Sequence, residues 1–423
     1  MNSIVHRFGR AVSSQVPQNP QLSRNILAAG YTLSGWKDAY FGGKGLKGVY
    51  AHMNAAISRN MSHSFRDSSR SAMVNIFFPC EILYAMDIAP VFPEALSVYI
   101  VNSDCGEVFA ESAEAIGISE SLCSYHKIMI GTARTGVLPK PLIIANTTLA
   151  CDANQLSFRC LAEEYGSPHF IVDVPHTVDK ESVHYVASQL KNFTVLLEDL
   201  LHSSMSESKL RYTVDRANRT IKAYREYLNI RARTSLPISM TGELFSLVAT
   251  HVFLGTPESE QYAIAIKELA QKASPDRRKK RILWLHTLPN WQDSIRVLLE
   301  NNERTEILAS DMTYDTLIDM DPEKPYESMA ERLVYNINNG GAQRRIDAAI
   351  AYAKKLHADG VIVFGQWGCK QTMGMSQLAK MALEEEGFPT LVLDGDGCDP
   401  RNVADGQMAT RVNAFLEQLE ASR

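Results

Sequence analysis

Seven cysteines are spread over 423 residues without a single Cys-x-x-Cys pair. That absence argues against a zinc ribbon, a thioredoxin-type site or a ferredoxin run. No Gly-x-x-x-x-Gly-Lys-Ser/Thr stretch occurs, so ATP hydrolysis by a P-loop is not expected of this chain. Nor is there an uninterrupted run of about 18 apolar residues, the length a membrane helix needs, and the first twenty residues have no long apolar core. A soluble, cytoplasmic protein is expected. Positive charge is also short: the net charge is -5 and the pI near 6.1, against the concentrated basic face that nucleic acid requires. The one basic run, "DRRKKR" (276–281), precedes an apolar segment and is read as a solvated domain joint. An odd number of cysteines fits a reducing compartment, where thiols stay free for packing or metal.

What is present is an ordinary globular composition, 45% hydrophobic and 22% charged, enough for two or three domains. Residues 1–65 read as a helical N-terminal extension with turn signals such as "FGGKGLKG" and no chemical motif. Over 66–190, strand-like "MVNIFF", "PLIIAN" and "HFIVDVP" alternate with helical patterns, the rhythm of a parallel sheet. Residues 191–276 are helical throughout, with "SMSESK" as a capped helix start and "GTPESEQYA" as a turn and helix start. Over 277–423 the alternation resumes with "KRILWLHTLP", "RTEILASD", "GVIVFG" and "TLVLDGD". The expected fold is α/β: two open, mainly parallel-sheet domains of Rossmann or flavodoxin type, with helical N-terminal and connecting segments.

Placed on that framework, three cysteines share a setting. Cys369 follows "GVIVFG" and opens a helix that stops at Gly387; Cys151 follows "PLIIAN" and opens another that ends in glycine; Cys123 opens "CSYHKIMIGTARTG". In open α/β sheets ligands collect at the carboxyl ends of strands, and helix N-termini offer unpaired amides and partial positive charge. Such a position favours the thiolate and suits an anionic iron-sulfur cluster. Three converging thiolates would leave one iron of a 4Fe-4S cluster open. Free cysteine is also among the most buried residue types, so packing is the plain alternative for each. Cys160 is assigned to the core; Cys80 and Cys105 show no strand-to-helix setting; Cys398, in a glycine-rich loop after a strand, is a candidate for the same crevice. "GDGCDPRN" reads as a structural turn before the last helix, and His126, three residues after Cys123, as a candidate proton donor near a cluster.

The segments "FGQWGCKQTMGMSQLAKMALEEEGFPTLVLDGDGCDPRN", "FFPCEILYAMDIAPVF", "LCSYHKIMIGTARTG", "IIANTTLACDA" and "DPEKPYESMAERL" together resemble the 2-hydroxyacyl-CoA dehydratase family, which includes benzoyl-CoA reductase subunits. The likeness runs from about Met73 to Glu420; Asp87 stands where a glycine is common. The resemblance implies that Cys123, Cys151 and Cys369 hold a 4Fe-4S cluster with one position open or not taken by cysteine. It also implies two α/β domains with the cluster between them, a related partner subunit in a heterodimer, and a separate ATP-hydrolysing iron-sulfur activator. The activity implied is radical removal of water from an (R)-2-hydroxyacyl-CoA through a ketyl, giving an enoyl-CoA. The wording of the last block inclines the resemblance toward the β-type subunit. The alternatives are an ATP-dependent reductase component, benzoyl-CoA reductase-like or of the double-cubane type, and a cluster-free two-domain module that binds a small ligand. No catalytic side chain is singled out.

Overall fold

The structure, a computed structural model, describes residues 3–276, 278–300 and 302–421. Arg277, in the middle of the basic run, lies outside the described residues, as do positions 1 and 2 of the N-terminal extension. Two four-stranded sheets form, both parallel throughout. The first comprises β1 (Ser71–Val74), β2 (Ala89–Val91), β3 (Ile143–Thr147) and β4 (His169–Val172), in the order β2-β1-β3-β4. The second comprises β5 (Lys280–Leu285), β6 (Thr305–Ser310), β7 (Gly360–Gln366) and β8 (Thr390–Gly395), in the order β6-β5-β7-β8. The expected fold class is what forms. The two halves repeat one topology, and in each the direction of build reverses between the first and third strands. Crevices at that switch point take ligands in such sheets.

The strands are buried because helices cover both faces, which is why they read as continuous apolar runs. In the second sheet Trp284 of β5 is fully buried and stacks on Phe364 of β7. β2 is the strand that sequence patterning misses. It has only three residues and contains Pro90, which a sheet tolerates at an edge, where β2 lies. Asp87, just before it, sits at φ 56°, the left-handed region that explains why glycine suits this turn; a short polar side chain is the next best occupant.

The N-terminal extension is three helices, Ser3–Gln15, Pro20–Phe41 and Gly45–Arg66. The helical middle has four, and each has a side-chain cap at its start. Asp179 accepts from Ser182 N, Ser206 from Lys209 N, Ser239 from Gly242 N, and Thr256 from Ser259 N with Pro257 in the first turn. "SMSESK" and "GTPESEQYA" are therefore helix starts. The first of these helices, Lys180–Leu201, passes without a break through position 190, because Val186, Leu190, Phe193 and Leu197 continue one buried face. The basic run divides. Arg278 pairs with Asp276 in solvent, whereas Lys280 and Arg281 already belong to β5, where Arg281 and the buried Arg231 both bind Glu306.

Two of the segments that carry the resemblance meet across the halves. Glu81, in the short helix Glu81–Ala85, is fully buried and forms a two-pronged ion pair with Arg332 of the helix Pro325–Val334, Nη2 lying 2.9 Å from Oε2. The fork geometry suits arginine and carboxylate. Removing one partner strands a buried charge, so Arg332→Met is expected to lower unfolding stability by about 3–5 kcal/mol in a denaturant titration. A loss below about 1 kcal/mol would mean that the pair does not tie the halves together.

Candidate functional site

Each of the three cysteines singled out above is the N-cap residue of its helix. Cys123 precedes Ser124–Arg134, Cys151 precedes Asp152–Tyr165 and Cys369 precedes Lys370–Glu385. None of the three uses its side chain to cap the helix, so the sulfurs stay available. Local backbone geometry explains how they are aimed. After β7 the chain turns through Gly368 at φ 77°, and Cys369 N donates to Gln366 O at 3.0 Å. After β3 it turns through Ala150 at φ 69°, and Cys151 N donates to Leu149 O at 2.9 Å. An alanine in the left-handed region is costly, and such outliers gather at functional sites.

Gly368 also sets the distance between two of the loops. A Cβ there would lie 2.5 Å from both Cys123 N and Ser121 O, closer than any real side-chain carbon approaches backbone. Gln366 braces the same crossing: its Nε2 lies 4.0 Å from Cys123 Sγ and 3.2 Å from Asp396 Oδ1, and its Oε1 accepts from Gly397 N. Asp396 in turn accepts from Cys398 N, Asp399 N and Asn402 Nδ2, and from the Ser124 hydroxyl. "GDGCDPRN" is thus a structural turn, as expected, and it fastens the Cys123 helix to the second sheet.

All three cysteines line one cavity of about 880 Å³ between the halves. Among the described residues no three His, Cys, Asp or Glu side chains converge tightly enough to hold one metal ion. The other cysteines sort differently from the sequence reading. Cys80 and Cys105 are helix N-caps too, Cys80 after β1, against the expectation of no strand-to-helix setting, and Cys105 after a helix, in line with it; neither lines the cavity. Helix-start placement alone therefore does not select the site; the cavity does. Cys160 is exposed and not core: the buried face of its helix is Asn154, Ser157, Phe158 and Leu161, and Cys160 falls between those positions with the exposed Leu156. Cys398 is buried behind Cys123, outside the cavity wall.

The electrostatics run against one expectation. Helix N-termini favour thiolates, yet burial pushes the Cys123 thiol well above its ordinary value, with the neighbouring Cys369 and Cys151 raising it further. Burial and the nearby Cys369 push Cys151 up to about 12. Desolvation outweighs the helix dipole here. His126 lines the cavity with Nε2 3.5 Å from Cys151 Sγ and Nδ1 2.7 Å from Ser157 Oγ. The Ser157 hydroxyl has one proton and Ala153 O is its nearer acceptor, which leaves Nδ1 to donate and Nε2 to face the thiol as an acceptor. Burial lowers His126 to about 4, so the ring is neutral at physiological pH. Near Cys369 a buried Arg345 donates to Asp311 Oδ2 at 2.5 Å and to Thr372 Oγ1 at 3.0 Å.

Sequence reasoning passed over Glu94. It lines the cavity, its Oε2 is enclosed without a hydrogen-bond partner, and burial raises its carboxyl to about 8. The signal was a lone carboxylate inside the apolar "APVFPEALSVYIV". The N-terminal helices were also given no role, yet Ile4, Phe8, Tyr31 and Leu33 form part of the wall.

A profile of the family described as "2-hydroxyglutaryl-CoA dehydratase, D-component" matches residues 75–419. The chain is 22% identical to the (R)-phenyllactyl-CoA dehydratase alpha subunit of Clostridium sporogenes, over 82% of this chain and 88% of that one. It is 24% identical to the lactoyl-CoA dehydratase alpha subunit of Anaerotignum propionicum, over 81% and 89%. To one of the subunits of the benzoyl-CoA reductase of Thauera aromatica it is 22% identical, over 84% and 90%. The two dehydratase relatives bear alpha-subunit names, so the β-type expectation gains no support from them.

The loop crossing has a direct consequence. Gly368→Ala is expected to destabilise the protein by about 2–4 kcal/mol, since it adds a left-handed alanine to a clash with backbone. Gly374→Ala is the control: that glycine lies within the Cys369 helix with nothing within 4 Å of its added Cβ. It should be neutral or stabilising by up to about 1 kcal/mol. Equal effects of the two substitutions in urea unfolding would refute the crossing.

Proposed function

Because the chain belongs to the 2-hydroxyglutaryl-CoA dehydratase D-component family, we propose that it is the iron-sulfur subunit of a hydro-lyase that removes water from an (R)-2-hydroxyacyl-CoA to give the enoyl-CoA. The observation that carries this reading is the arrival of three thiols from helix N-cap positions, far apart in the chain, at one cavity between the sheets. The donor set fits a 4Fe-4S cluster held by Cys123, Cys151 and Cys369. The Cys123 and Cys151 thiols, which burial and the neighbouring sulfurs push toward the protonated form, need bound positive charge to ionise, and iron ions provide it. When bound, such a cluster would supply the single electron that turns the thioester carbonyl into a ketyl, would take that electron back once the β-proton has left and the enoyl-CoA forms, and would offer an iron position not taken by cysteine.

The chain's own side chains account for orientation and protons. His126, neutral and fixed by Ser157, and Arg345, fixed by Asp311, hold the surroundings of Cys151 and Cys369. Glu94 carries a proton at neutral pH in an apolar wall. Its carboxyl gives that proton to the departing α-hydroxyl, which leaves as water, and the carboxylate then takes the β-proton. One residue thus serves as acid and as base, and returns to its starting state. A partner subunit follows from the alpha-subunit names of the relatives. With no P-loop in this chain, the ATP hydrolysis that drives electron delivery belongs to a separate activator. The benzoyl-CoA reductase relative supports a second reading, a reductase component; the product distinguishes them, an enoyl-CoA against a reduced ring.

Anaerobically reconstituted protein should hold about four irons per chain. Cys123→Ser, Cys151→Ser or Cys369→Ser should remove the cluster absorbance, while Cys105→Ser keeps it. An iron-free wild type would overturn the cluster, and about eight irons would favour a double-cubane reductase. Glu94→Gln should keep the iron and lose roughly 100-fold or more in turnover. Unchanged turnover would remove Glu94 from the chemistry.

A further inference from the structure

The cavity says more about the acyl group than about the thioester. Buried apolar side chains form one part of its wall: Ile57 of the third N-terminal helix, Phe77 of the loop after β1, and Phe245, Leu247 and Val248 of the helix Met240–Thr250. Among the polar side chains there, Tyr99 OH donates to Asn54 Oδ1 at 2.7 Å and Asn54 Nδ2 donates to Asp38, while the Tyr31 and Tyr125 hydroxyls that also line the cavity are uncharged. Among the described residues lining the cavity, the Lys, Arg, Asp and Glu side chains are Lys37, Glu94, Asp152, Arg345 and Lys370. Lys37, Asp152 and Lys370 are exposed, at the rim. Arg345 is committed to Asp311 and Thr372, and Glu94 is an acid. Among the described residues no buried cation in the cavity is left to meet a second carboxylate.

From this placement we infer that the site takes a bulky, uncharged acyl group, branched-aliphatic or aromatic, and discriminates against both a short acyl group and a dicarboxylic one. The inference rests on the acyl-CoA reading above. A methyl side chain would leave the apolar wall uncovered and forgo the burial that favours binding. A terminal carboxylate would be desolvated without a cation to pair with, beside a wall whose own acid is Glu94. The charged lysines are exposed while the buried wall is apolar, so charge lies outside and shape inside.

The test compares binding to the anaerobically reconstituted full chain, by calorimetry, of four thioesters and coenzyme A alone. (R)-Phenyllactyl-CoA and (R)-2-hydroxyisocaproyl-CoA are expected to bind at least tenfold more tightly than lactoyl-CoA and (R)-2-hydroxyglutaryl-CoA. Equal or tighter binding of the short or the dicarboxylic thioester overturns the inference and leaves the dehydratase reading standing. If no thioester binds better than coenzyme A, both fall. Val98→Lys, on the cavity side of the helix Pro93–Asn102, should raise hydroxyglutaryl-CoA affinity at least fivefold relative to phenyllactyl-CoA. An unchanged ratio in a variant that keeps its iron and its circular dichroism would show that the acyl group lies elsewhere.

Discussion

The site depends on one close approach of backbone to backbone. Gly368 lies against the amide of Cys123 and the carbonyl of Ser121, in a conformation that glycine adopts freely. That contact joins the loop after β7, in the second half, to the start of a helix in the first half. It places two thiols on opposite sides of a seam and lets a third, brought by Ala150 at the end of β3, complete the set. A side chain at 368 would wedge the seam open, so the chemistry of three sulfurs rests on the absence of one carbon.

Polar contacts across the same seam keep it shut. Asp396 gathers Ser124, Gln366 and three N–H donors from its own loop; Lys127 reaches Asp399 and Glu114; Glu81 and Arg332 pair further away. Buried ionic groups contribute little net stability, but they penalise any arrangement that separates them. They therefore fix the register of the two halves more than they strengthen the fold. Inside the seam the balance is different. The thiols of Cys123 and Cys151, His126 and Glu94 are all driven toward their neutral forms by burial.

Much of this was legible in the sequence, and the failures have physical causes. The strands announced themselves as apolar runs because parallel sheets are covered on both faces; strand-loop-helix spacing found Cys151 and Cys369 as helix starts, and the helical pattern after it found Cys123. The same reasoning missed that Cys80 and Cys105 are also helix starts, since neither follows a long strand. Burial in a common cavity, which no spacing reveals, separates the three from the other two. Cys160 was assigned to the wrong face because the helix presents Asn154, Ser157 and Leu161 inward, a polar-tolerant stripe that hydropathy does not mark. Glu94 and the N-terminal helices acquire meaning only when distant segments are brought together.

The most direct test of the central claim is an anaerobic crystal structure of reconstituted protein with data collected on either side of the iron absorption edge. The account expects one compact anomalous peak in the cavity, bounded by the sulfurs of Cys123, Cys151 and Cys369 and by no other cysteine. Iron bound by Cys80, Cys105, Cys160 or Cys398, or a full complement of iron with any of the three sulfurs turned away from it, would contradict the account.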